Sequence, residues 1–288
     1  MVNRNLSAKM LTRGATKRRN VELEQIIPRS EGRGALSSKL YKGRSVIDDF
    51  RCSGALRVLF PRTDQDLSAI LINTSGGLTS GDIFEFEATA QKGSNLTLST
   101  QAAERGYRAL TGSAVTQTTL SVEDGARLNW LPQELILFDG CDIERSLTAN
   151  MQGDAQFLFV EPMVFGRTAM KETVNRGRFL DQVTIYRDQI LLYFDRVRLE
   201  DDLKNTLSQR AIAQGCLAMV NLIYIGPDAE AHLDTVRSHL PITGGATMIE
   251  DDVMVGRVLA SDGFELRQAL LPILDLLSQN TLPKTWRL

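Results

Sequence analysis

The sequence predicts a mainly β fold: a stacked body of strands, with two α-helices in a C-terminal β-α-β-β-α segment. Three observations carry this. Residues 30 to about 200 are a succession of short apolar or alternating runs, turn signals punctuate them, and helical spacing shows only after residue 207. The chain divides accordingly into a basic tail (1–29), a β body (30–207) and a mixed α/β segment (208–288) packed on the same domain.

The tail "MVNRNLSAKMLTRGATKRRN" carries Arg4, Lys9, Arg13, Lys17, Arg18 and Arg19 with no acid before Glu22, and it lacks the apolar core of a secretory signal. It reads as a mobile basic extension, a transit peptide being the other reading of an Arg-rich, acid-poor leader. Strands follow in "ALRVLFP", "LSAILIN", "DIFEFEATA", "SNLTLSTQ", "AVTQTTLSVEDG", "ARLNWLP", "ELILFDG", "IERSLTAN", "AQFLFVEP" and "DQVTIYRDQILLYFDRVRL". Between them "QKGS", "EDG", "DG" and "QGD" supply the glycine and aspartate that turns need, so the pairing is expected to be mostly antiparallel. No fixed-period repeat is legible.

After residue 207 the pattern changes. "SQRAIAQGCLAMVNLIYIG" begins as a helix and ends as a strand, "PDAEAHLDTVRSHLP" is an amphipathic helix, and "ATMIEDDVMVGRVLAS" is a hairpin. In "DGFELRQALLPILDLLSQN", Asp262 caps a helix that Pro272 is expected to kink.

Composition narrows the function. A chain of 288 residues needs no disulfide or metal staple, and Cys52, Cys141 and Cys216 have neither a zinc nor a disulfide spacing, which suits a reducing compartment. A formal charge of −2 gives no reason to expect nucleic acid, and no apolar run is long enough for a membrane span. A cytoplasmic protein is expected.

The loop "INTSGGLTSGD" at 72–82 tests for phosphate chemistry. A phosphate-cradling loop needs Lys and a hydroxyl opening a helix; here Gly81 is followed by Asp82 and then by the alternating strand "IFEFEATA". No GxSxG elbow appears. His232 and His239 lie seven apart on one predicted helix, about 10 Å by helical rise, too far to share a metal. Asp195, Glu200, Asp201 and Asp202 read as a solvated face or a helix start. Glu134, Glu161 and Glu172 sit in apolar strand-and-turn contexts, so paired carboxylates in a β-rich carbohydrate-active enzyme are one reading, weakened by the presence of only two tryptophans. The alternative is that they accept hydrogen bonds or pair with Arg105, Arg108 or Arg167.

The stretches "GGLTSGD", "STQAAERGYRA", "WLPQELILFDG", "EPMVFGRTAMKE" and "LPKTWRL" together resemble the urease accessory protein family UreD, also called UreH, over roughly residues 30–288. The chain departs from that pattern where Ser80 and Gly81 replace a second glycine pair, where Arg105 replaces Lys, and where Lys171 replaces Gly beside Glu172.

The resemblance implies a mainly β fold with strands stacked helically and two helices, and a non-enzymatic scaffold that binds apo-urease and, with UreF and the GTPase UreG, delivers nickel to the urease active site, by way of an internal tunnel proposed for the family. It implies no tightly bound cofactor, only nickel in transit. Its motif residues Gly76, Gly77, Gly81, Arg105, Tyr107, Arg108 and Arg167 are binding candidates. Imidazole and thiolate hold nickel tightly, whereas a conduit must bind weakly at several points. Asp82, Glu134, Glu161 and Glu172 are therefore the candidate stepping stones.

Overall fold

A computed structural model of the chain describes residues 29–63, 66–167 and 172–287. The tail expectation for residues 1–28, and Lys171, lie outside the described residues. Two sheets make the body. The seven-stranded sheet runs β14 (Ile190–Asp202), β13 (Arg176–Arg187), β11 (Asp142–Met151), β8 (Ala114–Val122), β5 (Ile83–Ala90), β1 (Glu31–Tyr41), β2 (Arg44–Gly54). The ten-stranded sheet runs β16 (Gly244–Glu250), β17 (Val253–Ala260), β15 (Ala218–Ile225), β12 (Gln156–Phe165), β9 (Arg127–Leu131), β6 (Asn95–Thr100), β4 (Leu67–Asn73), β3 (Leu56–Leu59). The short strands β7 (Glu104–Gly106) and β10 (Leu135–Leu137) join it at one end.

The expected antiparallel pairing is corrected. The ladders β1–β5–β8–β11–β13 and β4–β6–β9–β12 are all parallel, and antiparallel pairs are confined to the hairpins and strands flanking them. The turns explain why. "QKGS", "EDG" and "QGD" do not fold a strand back beside itself; each is a corner that carries the chain from the seven-stranded sheet to the ten-stranded one, as from β5 to β6, β8 to β9 and β11 to β12. Each circuit then adds one strand to each sheet in the same direction. Corners stack by backbone bonds, Glu123 N–H to Ala90 O at 2.9 Å and Gln152 N–H to Val122 O at 2.9 Å. The circuits enter the ten-stranded sheet at Leu67, Asn95, Arg127 and Gln156, unequal intervals that leave no period in the sequence.

The seven-stranded sheet is buried on one face only, so β5 alternates between buried Phe84, Phe86 and Ala88 and outward Glu85 and Glu87. The ten-stranded sheet is covered on both faces, and β12 is accordingly buried almost throughout. Its outer cover is α2 (Ala229–His239) and α3 (Gly263–Leu277), whose Val236, Leu266, Leu270, Ile273 and Leu274 pack on Leu158, Val160, Leu222 and Tyr224. Asp262 caps α3 through the Phe264 and Glu265 N–H groups, both at 2.9 Å, and the helix continues through Pro272 to Leu277. The β-α-β-β-α order of the C-terminal segment is as expected. Two local readings are corrected: residues 210–215 form turns and not a helix, and a short helix α1 (Leu203–Ser208) begins before residue 207, with Asp202 capping it at the Asn205 N–H, 3.1 Å. That cap gives the acidic run its helix start.

Between the sheets the apolar interior is divided. One cluster holds Leu147, Val183, Phe159 and Ile223; another holds Ile143, Phe179 and Met163. On strand after strand the inward position between these two is polar: Thr116 on β8, Arg145 on β11, Asp181 on β13, Glu161 on β12, Asn221 on β15 and Arg257 on β17. The registers align them, Thr116 beside Arg145 beside Asp181 in one sheet, Glu161 beside Asn221 beside Arg257 in the other.

Candidate functional site

The polar row opens at one end into a cavity of about 330 Å³ lined by Asn73, Gly76, Glu104, Arg105, Thr116, Trp130, Gln133, Arg145 and Glu161, with Leu78, Phe84 and Phe86 on its apolar side. Its rim is made where the loops 73–78 and 101–105 meet. Leu78 N–H donates to Arg105 O at 2.7 Å and Tyr107 N–H to Leu78 O at 2.8 Å, so two motif loops are stitched together. Gly77, at φ +153°, lets them approach: a Cβ there would stand 2.3 Å from Tyr107 Cε2. Gly76 and Gly81 also have positive φ, which makes the glycine loop a turn between strands. Ser80 is fully buried in that turn, and its Oγ accepts from Leu110 N–H at 2.5 Å and Thr111 N–H at 3.2 Å.

Deep in the cavity wall is an ionic group drawn from both sheets. Arg145 makes a two-pronged pair with Asp181, Nε to Oδ1 and Nη2 to Oδ2, both 2.8 Å, and lies 3.1 Å from Glu161 Oε2. The Trp130 indole donates to Glu161 Oε1 at 2.8 Å. The side chains of Arg145, Glu161 and Asp181 are only 13%, 3% and 2% exposed. Despite its nearness to Arg145, Glu161 Oε2 accepts no hydrogen bond; Thr116 Oγ1 and Gln133 Nε2, on two other lining residues, are also unpartnered. Burial pushes the Glu161 carboxyl up to about 7; the Arg145 charge and the Trp130 hydrogen bond oppose this without overcoming it, and Asp181 adds to it. At the rim, burial also raises the Glu104 carboxyl, against its own contacts with Arg105 N–H at 3.0 Å and the Asn73 amide at 3.1 Å.

Of the four candidate stepping stones, Glu161 lines the cavity. The other three are held by their own partners. Asp82 accepts from Ser30 N–H and Thr79 N–H, both at 2.8 Å, and so fixes the start of β5. Glu134 is gripped by Arg267 of α3, with Nη2 2.7 Å from Oε2 and Nε 3.0 Å from Oε1. Arg267 also donates to Gln133 Oε1 at 2.6 Å and Trp286 O at 3.0 Å, and lies over the Trp286 ring. The Trp286 indole donates to Leu131 O at 2.9 Å, which joins "LPKTWRL" to "WLPQE". Glu172 pairs with Arg167 at 2.5 Å, and the Arg167 guanidinium lies 4.3 Å above the Phe138 ring, itself edge-on to Tyr107. Arg108 pairs with Asp139 at 2.8 Å.

His232 bonds Asp228 at 3.0 Å, and the three cysteines are free. Among the described residues, no three of His, Cys, Asp and Glu gather closely enough to hold a metal ion, and no helix is long and apolar enough to cross a membrane. Glu104, Arg145 and Asp181 were not singled out from sequence. Their signal was available for the last two: in "DIERSLTAN" and "FLDQVTI" a charge occupies an inward position of an alternating strand, between Ile143 and Leu147 and between Phe179 and Val183.

A family model described as UreD urease accessory protein matches residues 30–287. The chain is similar to a urease accessory protein UreD of Roseobacter denitrificans, 45% identical over 262 residues that span 91% of this chain and 96% of that protein. It is likewise similar to proteins of the same name from Ruegeria pomeroyi, 44% identical over 253 residues (87% and 98%), and Rhizobium leguminosarum bv. viciae, 38% identical over 262 residues (90% and 96%).

Proposed function

The chain belongs to the UreD urease accessory protein family, and on that premise we propose that it is a non-enzymatic cytoplasmic scaffold that binds apo-urease and, with UreF and UreG, passes nickel toward the urease active site through its internal cavity. Family membership supports a role in urease maturation. The observation that carries the nickel step is Glu161: a buried carboxylate oxygen without a hydrogen bond, in a cavity whose other donors are hydroxyl, amide and carboxylate groups. Such oxygens bind a borderline divalent ion more weakly than imidazole or thiolate, which is what onward transfer requires. Glu104 at the rim is the natural first contact and Glu161 the inner one. Their raised proton affinity lets each exchange a proton for the metal.

Coexpression with the urease subunits, UreF and UreG tests the scaffold. Stable contacts of roughly 1,200–2,000 Å² each with apo-urease and UreF should survive pull-down; failure of the folded protein to retain either of these two, or turnover of a glycoside by the isolated chain, would refute it. Glu161→Gln tests the route. The amide keeps the size and can accept the Trp130 hydrogen bond but loses the charge, so complexes should assemble normally while nickel per urease active site falls. Full nickel loading with this variant would remove Glu161 from the path.

A further inference from the structure

We propose that Arg145 is the residue that keeps this cavity from retaining its metal: its guanidinium stands where a divalent cation would otherwise settle between Glu161 and Asp181. The inference rests on the reading of the cavity as a nickel route and names what sets its affinity. Two buried carboxylates from facing sheets, both in contact with Arg145, are the kind of oxygen set that binds a hard or borderline divalent ion firmly, and affinity in such sites rises with the number of charged ligands. Arg145 spends one of the two. Both of its bonds to Asp181 are short and parallel, and the guanidinium lies 5.7 Å from the Phe179 ring centre, so it is held in place. It also cannot lose its proton and so cannot vacate the position as a neutral group. Glu161 is left as a single carboxylate, near enough to Arg145 to be partly neutralised, yet with an oxygen that accepts no hydrogen bond.

The arrangement distinguishes a positioning role from a merely structural one. If Arg145 only satisfies buried acids, removing it damages the fold and metal does nothing. If it stands in for a cation, metal should substitute for it. Arg145→Met, purified with chelator, should melt lower than the parent chain. Titration with nickel chloride should raise its melting temperature far more than that of the parent. It should bind nickel about tenfold more tightly or better, in keeping with the added ligand charge, and keep the ion through dialysis. Arg145→Lys, which preserves the positive charge, should release nickel as the parent does. In Arg145→Met/Asp181→Asn the second carboxylate is gone, so retention should disappear.

Should Arg145→Met fail to fold alone, it is refolded with and without nickel. Nickel-dependent recovery supports the proposal, and equal failure in both overturns it. Absence of nickel retention by folded Arg145→Met also overturns it. These measurements use the isolated chain, so they fail independently of the route itself, whose failure shows as normal urease loading by Glu161→Gln.

Discussion

Burying Glu161 should make the stability of this protein fall between acid and neutral pH, and Glu161→Gln should abolish that component. The carboxyl ionises near its ordinary 4.5 in the unfolded chain and at about 7 in the fold, burial being the largest cause. Between those values the folded state holds a proton that the unfolded state has released. Stability contributed by the neutral carboxyl is therefore complete below 4.5 and is lost as pH rises through 7, after which the curve levels. At about 1.4 kcal/mol per pH unit separating the two values, the loss is roughly 3 kcal/mol. The amide has no proton to exchange. At pH 5 it matches the neutral acid in size and in its bond to Trp130, so the two proteins should agree within about 1 kcal/mol. By pH 8.5 the variant should have gained roughly 6 °C in melting temperature relative to the parent. The assay is the difference between two melting curves recorded across pH 5 to 9, in which the other titrating groups cancel. Parallel curves would refute the argument. So would a difference of opposite sign, which would mean that Arg145 outweighs burial and that Glu161 stays charged in the fold.

Two other perturbations test the framework around the cavity. Arg267→Met leaves Glu134 buried against α3 without its cation, a loss of about 3–5 kcal/mol for a broken buried pair; a midpoint in urea within error of the parent would show that Glu134 is solvated. Gly77→Ala should be much worse than Gly76→Ala, because the added methyl meets Tyr107 Cε2 at 2.3 Å and Arg105 O at 2.8 Å at the first position and nothing within 4 Å at the second. The Gly76 change should cost only the backbone strain of a positive φ, about 1 kcal/mol. Equal midpoints for the two would place the fit elsewhere than at Tyr107.

The body of the fold was legible in the sequence because strand alternation is a local property. "IFEFEATA" shows which residues face inward without any knowledge of its neighbours. Strand direction was not legible. A Gly-Asp turn reads the same whether it reverses a hairpin or rounds a corner between sheets, and unequal circuits hid the repeat. β1 and β2 were missed as strands because "GRGALSSKLYKGRSVIDDF" mixes glycine and charge with few apolar residues; β2 is an edge strand with little burial to enforce a pattern. At the site, the motifs located Glu161 and the rim loops. They could not say which arginine meets which acid. Glu134 lies 133 positions before Arg267, and Arg145 reaches across 36 positions to Asp181; such pairings are decided by the stacking of the circuits and leave no mark near either residue.

The polar row across the interior bears on how the chain avoids misassembly. In a stack of parallel strands with apolar inward faces, a strand displaced by two residues still presents apolar side chains to its neighbour, so burial alone hardly penalises the error. Here such a slip of β11 would carry Arg145 away from Asp181 and opposite Phe179 or Val183, stranding two charges at once. A buried pair broken that way costs about 3–5 kcal/mol, enough to populate the displaced arrangement less than one part in a hundred. Thr116, Arg145 and Asp181 thus act as teeth that admit each circuit in one alignment only. The same Arg145 that limits metal affinity is, during folding, the key that tells the fourth circuit where to stop.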